Sequence, residues 1–248
     1  MLFKQRGLVN GCVDRGRVQT ARFAVAILSC GVCLWWTSVA PAATFVGLSV
    51  DGHPVSATAD FTAVGDNVTV KLTNTTATTL DAGELFTGLE FTISGLTPTM
   101  TSDTGIQRTV ANDGTFVDTG LPQNLSWSLV SPSSGTWQLN FNPNAEDSII
   151  GPPTAGSYSG ANGSIKGNAG HNPFAAEMAV FELNVPGLSL IPLPSVDVTA
   201  FLFGTGLDPG VGRIVPGGGL ETVPEPAAAV LLMGAGLALA AGCWRRRS

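Results

Sequence analysis

The feature that most limits what this chain can become is a period of two. In NLSWSLVSPSSGTWQLNF, residues 124 to 141, Leu125, Trp127 and Leu129 alternate with polar neighbours, and so do Trp137, Leu139 and Phe141. Alternation of this kind puts every second side chain on one face of a strand. Between the two runs, Pro132 and Gly135 suit a tight connection, so the stretch predicts a hairpin whose inner face carries two indoles.

The same pattern recurs along the body. Val68, Val70 and Leu72 share a face in VTVKL, as do Leu89, Phe91 and Ile93 in LEFTI and Ala179, Phe181, Leu183 and Val185 in AVFELNV. In VDVTAFLF, Val196, Val198, Ala200 and Leu202 alternate with Thr199, Phe201 and Phe203, so its second half is apolar on both sides and predicts a strand buried between layers. ATFVGLSV, near residue 43, adds another candidate. No long apolar repeat of 3.6 interrupts them. About seven or more short strands, separated by Gly, Pro, Asn and Asp, predict an all-β fold, a β-sandwich or jelly roll.

Two stretches read as loops. TPTMTSDTGIQRTVANDGTFVDTG has room for a short strand at Thr115 to Val117. The glycine-rich NPNAEDSIIGPPTAGSYSGANGSIKGNAGHNP reads as a binding rim or a mobile excursion. The expected organisation is a signal peptide over 1–42, a β-sandwich domain over 43–205, a linker over 206–222 and a tail over 223–248 that holds a transmembrane helix at 227–244.

The ends carry the targeting information. Lys4, Arg6, Arg15, Arg17 and Arg22 precede the apolar FAVAILSCGVCLWW, and small residues follow, as an export signal requires. Cleavage after Ala40 or after Ala42 satisfies the small-residue rule equally. Either cut removes Cys12, Cys30 and Cys33, and Cys243 lies in the terminal apolar run, so a disulfide framework is excluded from the body. At the other end, Ala227 to Trp244 is an uncharged 18-residue run, long enough to cross the apolar part of a bilayer as a helix. Arg245, Arg246 and Arg247 then predict a cytoplasmic stop.

Between these ends, Lys71, Arg108, Lys166 and Arg213 face sixteen acids, a formal net charge of −12 over residues 43 to 222. Such a body repels nucleic acid. Its chemistry is sparse. His53 and His171 both sit in turns before or near prolines and lack the HExxH or HxH spacing of a zinc site. No GxSxG, no phosphate-cradling glycine loop and no cofactor motif is present. The carboxylate pairs Asp81 with Glu84, Glu146 with Asp147 and Glu177 with Glu182 are read as surface acids. Asp113, Asp118, Glu146, Asp147 and Asp208 offer loop oxygens for calcium without EF-hand spacing. Trp127 and Trp137 are expected in the core, which leaves Tyr158, in GSYSG, as the exposed aromatic that would contact a glycan. Asn67, Asn74, Asn124 and Asn162 match the N-glycosylation pattern.

Pro224, Glu225 and Pro226, followed by the apolar run and the arginines, resemble the PEP-CTERM sorting signal of Gram-negative bacteria that make exopolysaccharide. The resemblance implies recognition by an exosortase, a membrane-embedded transpeptidase-like enzyme, after export and signal peptidase cleavage. The apolar helix would hold the chain in the membrane only until processing. The body would then work at the cell surface or in the matrix, without catalysis of its own and in association with exopolysaccharide. A carbohydrate-binding module is the alternative, and a polysaccharide-active enzyme the third reading. FLFGTG, at 201 to 206, resembles a short pattern found before some such tails and reads as a strand followed by a turn.

Overall fold

The computed structural model describes residues 38–39, 42–49, 52–141, 147–192, 194–205 and 213–214. The tail lies outside these residues, as do Glu146, Asp208 and the export segment apart from Ser38, Val39 and Ala42. Among the described residues no helix is long and apolar enough to cross a membrane, and the run at 227–244 is not among them.

The strands are β1 (Ser38–Val39), β2 (Ala43–Leu48), β3 (Pro54–Val64), β4 (Asn67–Asn74), β5 (Phe86–Ile93), β6 (Thr99–Gly105), β7 (Gln107–Val110) and β8 (Phe116–Asp118). They continue as β9 (Gln123–Asn124), β10 (Trp127–Ser133), β11 (Thr136–Phe141), β12 (Ile149–Ile150), β13 (Phe174–Ala176), β14 (Met178–Asn184), β15 (Val196–Phe203) and β16 (Arg213–Ile214). Two short 3-10 turns, Ala82–Glu84 and Leu188–Leu190, complete the described secondary structure.

Seven strands form one sheet, in the order β1-β3-β4-β14-β6-β9 with β2 also on β3. Nine form the other, β10-β11-β5-β12-β13-β7-β8, with β15 joining β5 to β16. Apart from the parallel pair of β12 and β13, the pairings are antiparallel. The all-β sandwich expected from the sequence is what the chain forms. β16 falls within the stretch read as a linker, and β1 within the segment read as a signal peptide.

The sheets are joined by aromatic pairs that cross between them. Phe61 of β3 meets Phe91 of β5 at 5.6 Å between ring centroids, and Phe45 of β2 stacks on Phe201 of β15 at 5.5 Å. Trp127 of β10 lies 5.0 Å from Phe181 of β14. Phe91, Trp127 and Phe181 are residues that alternation had already turned inward, whereas Phe45, Phe61 and Phe201 join them only in the folded sheets. The predicted hairpin is present: Trp127 pairs with Phe141 and Leu129 with Leu139, around a turn in which Gly135 has φ +80°.

β15 departs from the sequence pattern in an instructive way. Val198 is opposite Phe91 and Ala200 opposite Glu90, so Thr199 is an extra residue in a β-bulge. The bulge changes the phase of the strand. Val198, Phe201 and Phe203 therefore face the core together, whereas strict alternation would have set Phe201 and Phe203 opposite Val198. β5 flips in the same manner at Thr87, which lets Phe86 and Leu89, an odd number apart, both point inward.

Both supposed loops are structured. TPTMTSDTGIQRTVANDGTFVDTG contains β6, β7 and β8, and the glycine-rich stretch wraps a second small core of Leu85, Val110, Ile150, Tyr158, Ile165 and Phe174. Gly114 is where this wrap touches the β7–β8 turn. With φ +86°, it has the Ser159 backbone nitrogen 2.4 Å from where a Cβ would stand, a close approach open only to glycine.

Candidate functional site

Three side chains far apart in sequence converge at one end of the sandwich. His53 enters from the turn between β2 and β3, where its N–H donates to Ser49 Oγ at 3.1 Å and its carbonyl accepts from Ser49 N at 2.7 Å. Asp81 and Glu84 come from the 3-10 turn before β5. In a reciprocal cap, Asp81 Oδ1 accepts from Gly83 N at 2.8 Å while Glu84 Oε2 accepts from Asp81 N at 3.4 Å and from Leu80 N.

The remaining oxygens point at the histidine. His53 Nδ1 is 3.0 Å from Asp81 Oδ2 and 2.9 Å from Glu84 Oε1. Glu84 is 2 % exposed and the His53 side chain 40 %, so the cluster is open on the imidazole side and closed behind the glutamate. The turn itself is held from below: Asn74 Nδ2 donates to Glu84 O at 3.0 Å and to Ile149 O at 2.8 Å, and Ala82 N donates to Ser164 Oγ at 2.9 Å. Of groups of three or more His, Cys, Asp or Glu residues among the described residues, this is the one whose ligand atoms gather, all within 4.8 Å of one another. Thus Asp81 and Glu84, read from the sequence as surface acids, are a turn cap, and Glu84 is buried.

A second polar network is structural. The buried Arg108 guanidinium forks onto Asp118, Nε to Oδ1 at 2.7 Å and Nη2 to Oδ2 at 2.8 Å. Its Nη1 donates to Tyr158 Oη at 2.9 Å and to Glu177 Oε1 at 3.2 Å, and its plane lies 4.2 Å over the Phe116 ring. Burial works against the charge on Arg108, but the hydrogen bonds it donates to Asp118 and Tyr158 more than reverse that and hold its pKa above the usual value. Tyr158 Oη in turn donates to Gly151 O at 2.7 Å, and burial pushes the phenol up to about 12.

The expectation that Tyr158 is exposed is therefore corrected. The residue is 2 % exposed, because the glycine-rich segment around it folds onto its own core and Arg108 occupies its hydroxyl. Trp127, 6 % exposed, donates from Nε1 to Asp147 O at 2.8 Å, and the half-buried Trp137 donates to Leu96 O at 3.1 Å. Both pack with the main core, as expected.

Among the described residues, the loop acids do not gather. Asp113 caps its own turn through Thr115, Asp118 holds Arg108, and the buried Asp147 accepts from Gln107 Nε2 and Ser126 N. Asp103, which accepts from Trp127 N at 2.8 Å, has its pKa raised, chiefly by burial and also by nearby Asp147. Glu177 holds Arg108, whereas Glu182 accepts from Thr69 Oγ1 at 3.0 Å. His171 stays in its own loop, with Nδ1 2.6 Å from Ser164 O. Asn74 matches a glycosylation pattern but is buried and committed to two carbonyls, while Asn67, Asn124 and Asn162 are exposed.

The sorting residues Pro224, Glu225, Pro226, Arg245, Arg246 and Arg247 lie outside the described residues, so their evidence is in sequence. Residues 222–247 match the family described as PEP-CTERM protein-sorting motif. The chain thus carries the C-terminal sorting motif of an exosortase substrate, which implies export from the cytoplasm and sorting towards the surface. No curated protein matches the chain. Among solved structures, the crystal structure of the KRT10-binding region domain of the pneumococcal serine rich repeat protein PsrP aligns over 66 % of this chain and 90 % of that one, at 14 % identity and a TM-score of 0.24.

Proposed function

We propose that this protein is a non-catalytic β-sandwich of the cell surface or extracellular matrix of a Gram-negative bacterium. It is exported through its N-terminal segment, held briefly in the inner membrane by residues 227–244 and released by an exosortase. The observation that carries the reading is the match of residues 222–247 to the sorting motif. Physical topology supports it. Prolines on both sides of Glu225 disfavour helix at that point, and arginines after an apolar run favour a cytoplasmic end. The acidic body is compatible with a hydrated matrix, and the exopolysaccharide association implied by the tail belongs to the same reading.

Replacing Pro224, Glu225 and Pro226 together by alanine tests it. In the native host, the variant is expected to accumulate in the inner membrane with its arginine end intact while the unaltered chain leaves that membrane. Equal release of both, measured by fractionation and immunoblotting, would end the proposal.

A further inference from the structure

We propose that His53 Nδ1, Asp81 Oδ2 and Glu84 Oε1 bind a zinc-type divalent cation, with the fourth position of a tetrahedral site open to water on the exposed face of His53. One imidazole nitrogen carries at most one proton, yet this one has carboxylate oxygens at 3.0 and 2.9 Å. A proton serves one of them well, whereas a cation at the point of convergence serves all three atoms.

The surroundings are those of a prepared site. Each carboxylate has its other oxygen fixed by backbone N–H groups, which aims the free oxygen and sets the rotamer before any metal arrives. The turn is further anchored by Asn74 and Ser164, so little ordering remains to be done on binding. Glu84, moreover, is a nearly inaccessible carboxylate. Two of the four described lysines and arginines are committed elsewhere: Arg108 to Asp118, Glu177 and Tyr158, and Lys166 Nζ to Ser159 O.

Donor chemistry selects the metal. Zinc accepts imidazole nitrogen and carboxylate oxygen together, with bonds of about 2.0–2.2 Å, whereas calcium prefers six or more oxygens. Tetrahedral bonds of that length put ligand atoms roughly 3.3 Å apart, close to the 3.0 and 2.9 Å that already separate the imidazole nitrogen from the two oxygens.

The test is equilibrium dialysis of the full chain in detergent against Zn²⁺, with Cys12, Cys30, Cys33 and Cys243 alkylated so that imidazole and carboxylate are the available ligands. One zinc per chain is expected, together with a rise in thermal midpoint that follows free zinc and is not reproduced by calcium. Asp81→Asn retains an oxygen for Gly83 N and alters the oxygen facing the metal, while His53→Phe removes the nitrogen. Each should weaken binding at least tenfold, and His171→Phe should leave it unchanged. If His53→Phe does not fold, Asp81→Asn carries the comparison alone. Absence of stoichiometric zinc, binding indifferent to Asp81→Asn, or equal loss in His171→Phe would overturn the assignment.

Discussion

Replacing Phe201 by alanine is expected to cost the fold about 4 kcal/mol, within the range for deleting a buried phenylalanine side chain. Phe201 is fully buried, stacked at 5.5 Å on Phe45 of the opposite sheet and 5.8 Å from Phe86 of the neighbouring strand. Its removal leaves a cavity where the two sheets meet, and the rigid strands around it can only partly close. The neighbouring Leu202→Ala is the informative control, because the bulge at Thr199 turns Leu202 to the other face, where it is only half-buried. It should cost about 1 kcal/mol, in proportion to the smaller apolar area it loses. Chemical denaturation of both variants reads the difference. Equal losses, or a larger loss at Leu202, would mean that β15 alternates strictly and that the bulge is absent.

Arginine 108 should be the most sensitive polar position. Arg108→Met is expected to destabilise the chain by about 3 kcal/mol, at the lower end for breaking a buried ion pair. Asp118 and Glu177 are exposed by 33 % and 42 %, so both can rehydrate once the guanidinium is gone. Tyr158 makes the same network visible in solution, since it is the chain's single tyrosine and tyrosinate absorbance reports it alone. In the folded protein it should ionise near 12, whereas the unfolded chain ionises near 10. The raised pKa means that the folded state keeps its proton longer. Its contribution to stability, about 3 kcal/mol for two pKa units, is whole below pH 10 and is lost as pH rises towards 12. Denaturation midpoints measured across that range should fall accordingly. A tyrosine titrating near 10 in the folded chain would contradict its burial under Arg108.

Legibility followed hydrophobic contrast. β4 and β14 alternate large apolar residues with polar ones, and the structure buries Val68, Val70, Leu72, Phe181 and Leu183 as the pattern requires. β3 escapes such a reading because its inward positions include Ala57 and Ala59, too small to stand out from the serine, threonine and aspartate between them. β6 escapes it for a different reason. TMTSDTG buries fully only Gly105 and is held by backbone pairing to β14, which leaves no hydropathic trace. The phase changes at Thr87 and Thr199 are backbone events between residues that look ordinary in sequence.

The candidate cation cluster was legible only in part. Asp81 and Glu84 have the D-x-x-E spacing of a capping box, a signal that could have identified the turn. His53 is 31 residues before Glu84, and nothing local brings them together. The β2–β3 turn and the segment before β5 must first be placed by the sheets. Tyr158 shows the opposite error, since glycine and serine neighbours predict exposure and say nothing of a buried arginine 50 residues away in sequence. The sorting tail needed no fold at all, because its three parts are contiguous and each has its own chemistry.

In the function proposed here, the tail addresses the body and then leaves it. Intact mass and C-terminal peptide mapping of the protein from its native host, compared across inner-membrane, surface and culture fractions, tests this most directly. The expected result is a product outside the inner membrane whose last residue falls near Pro224 to Pro226. Recovery of the chain solely in the inner membrane, still ending in Arg245 to Ser248, would contradict it and make the tail a lasting anchor.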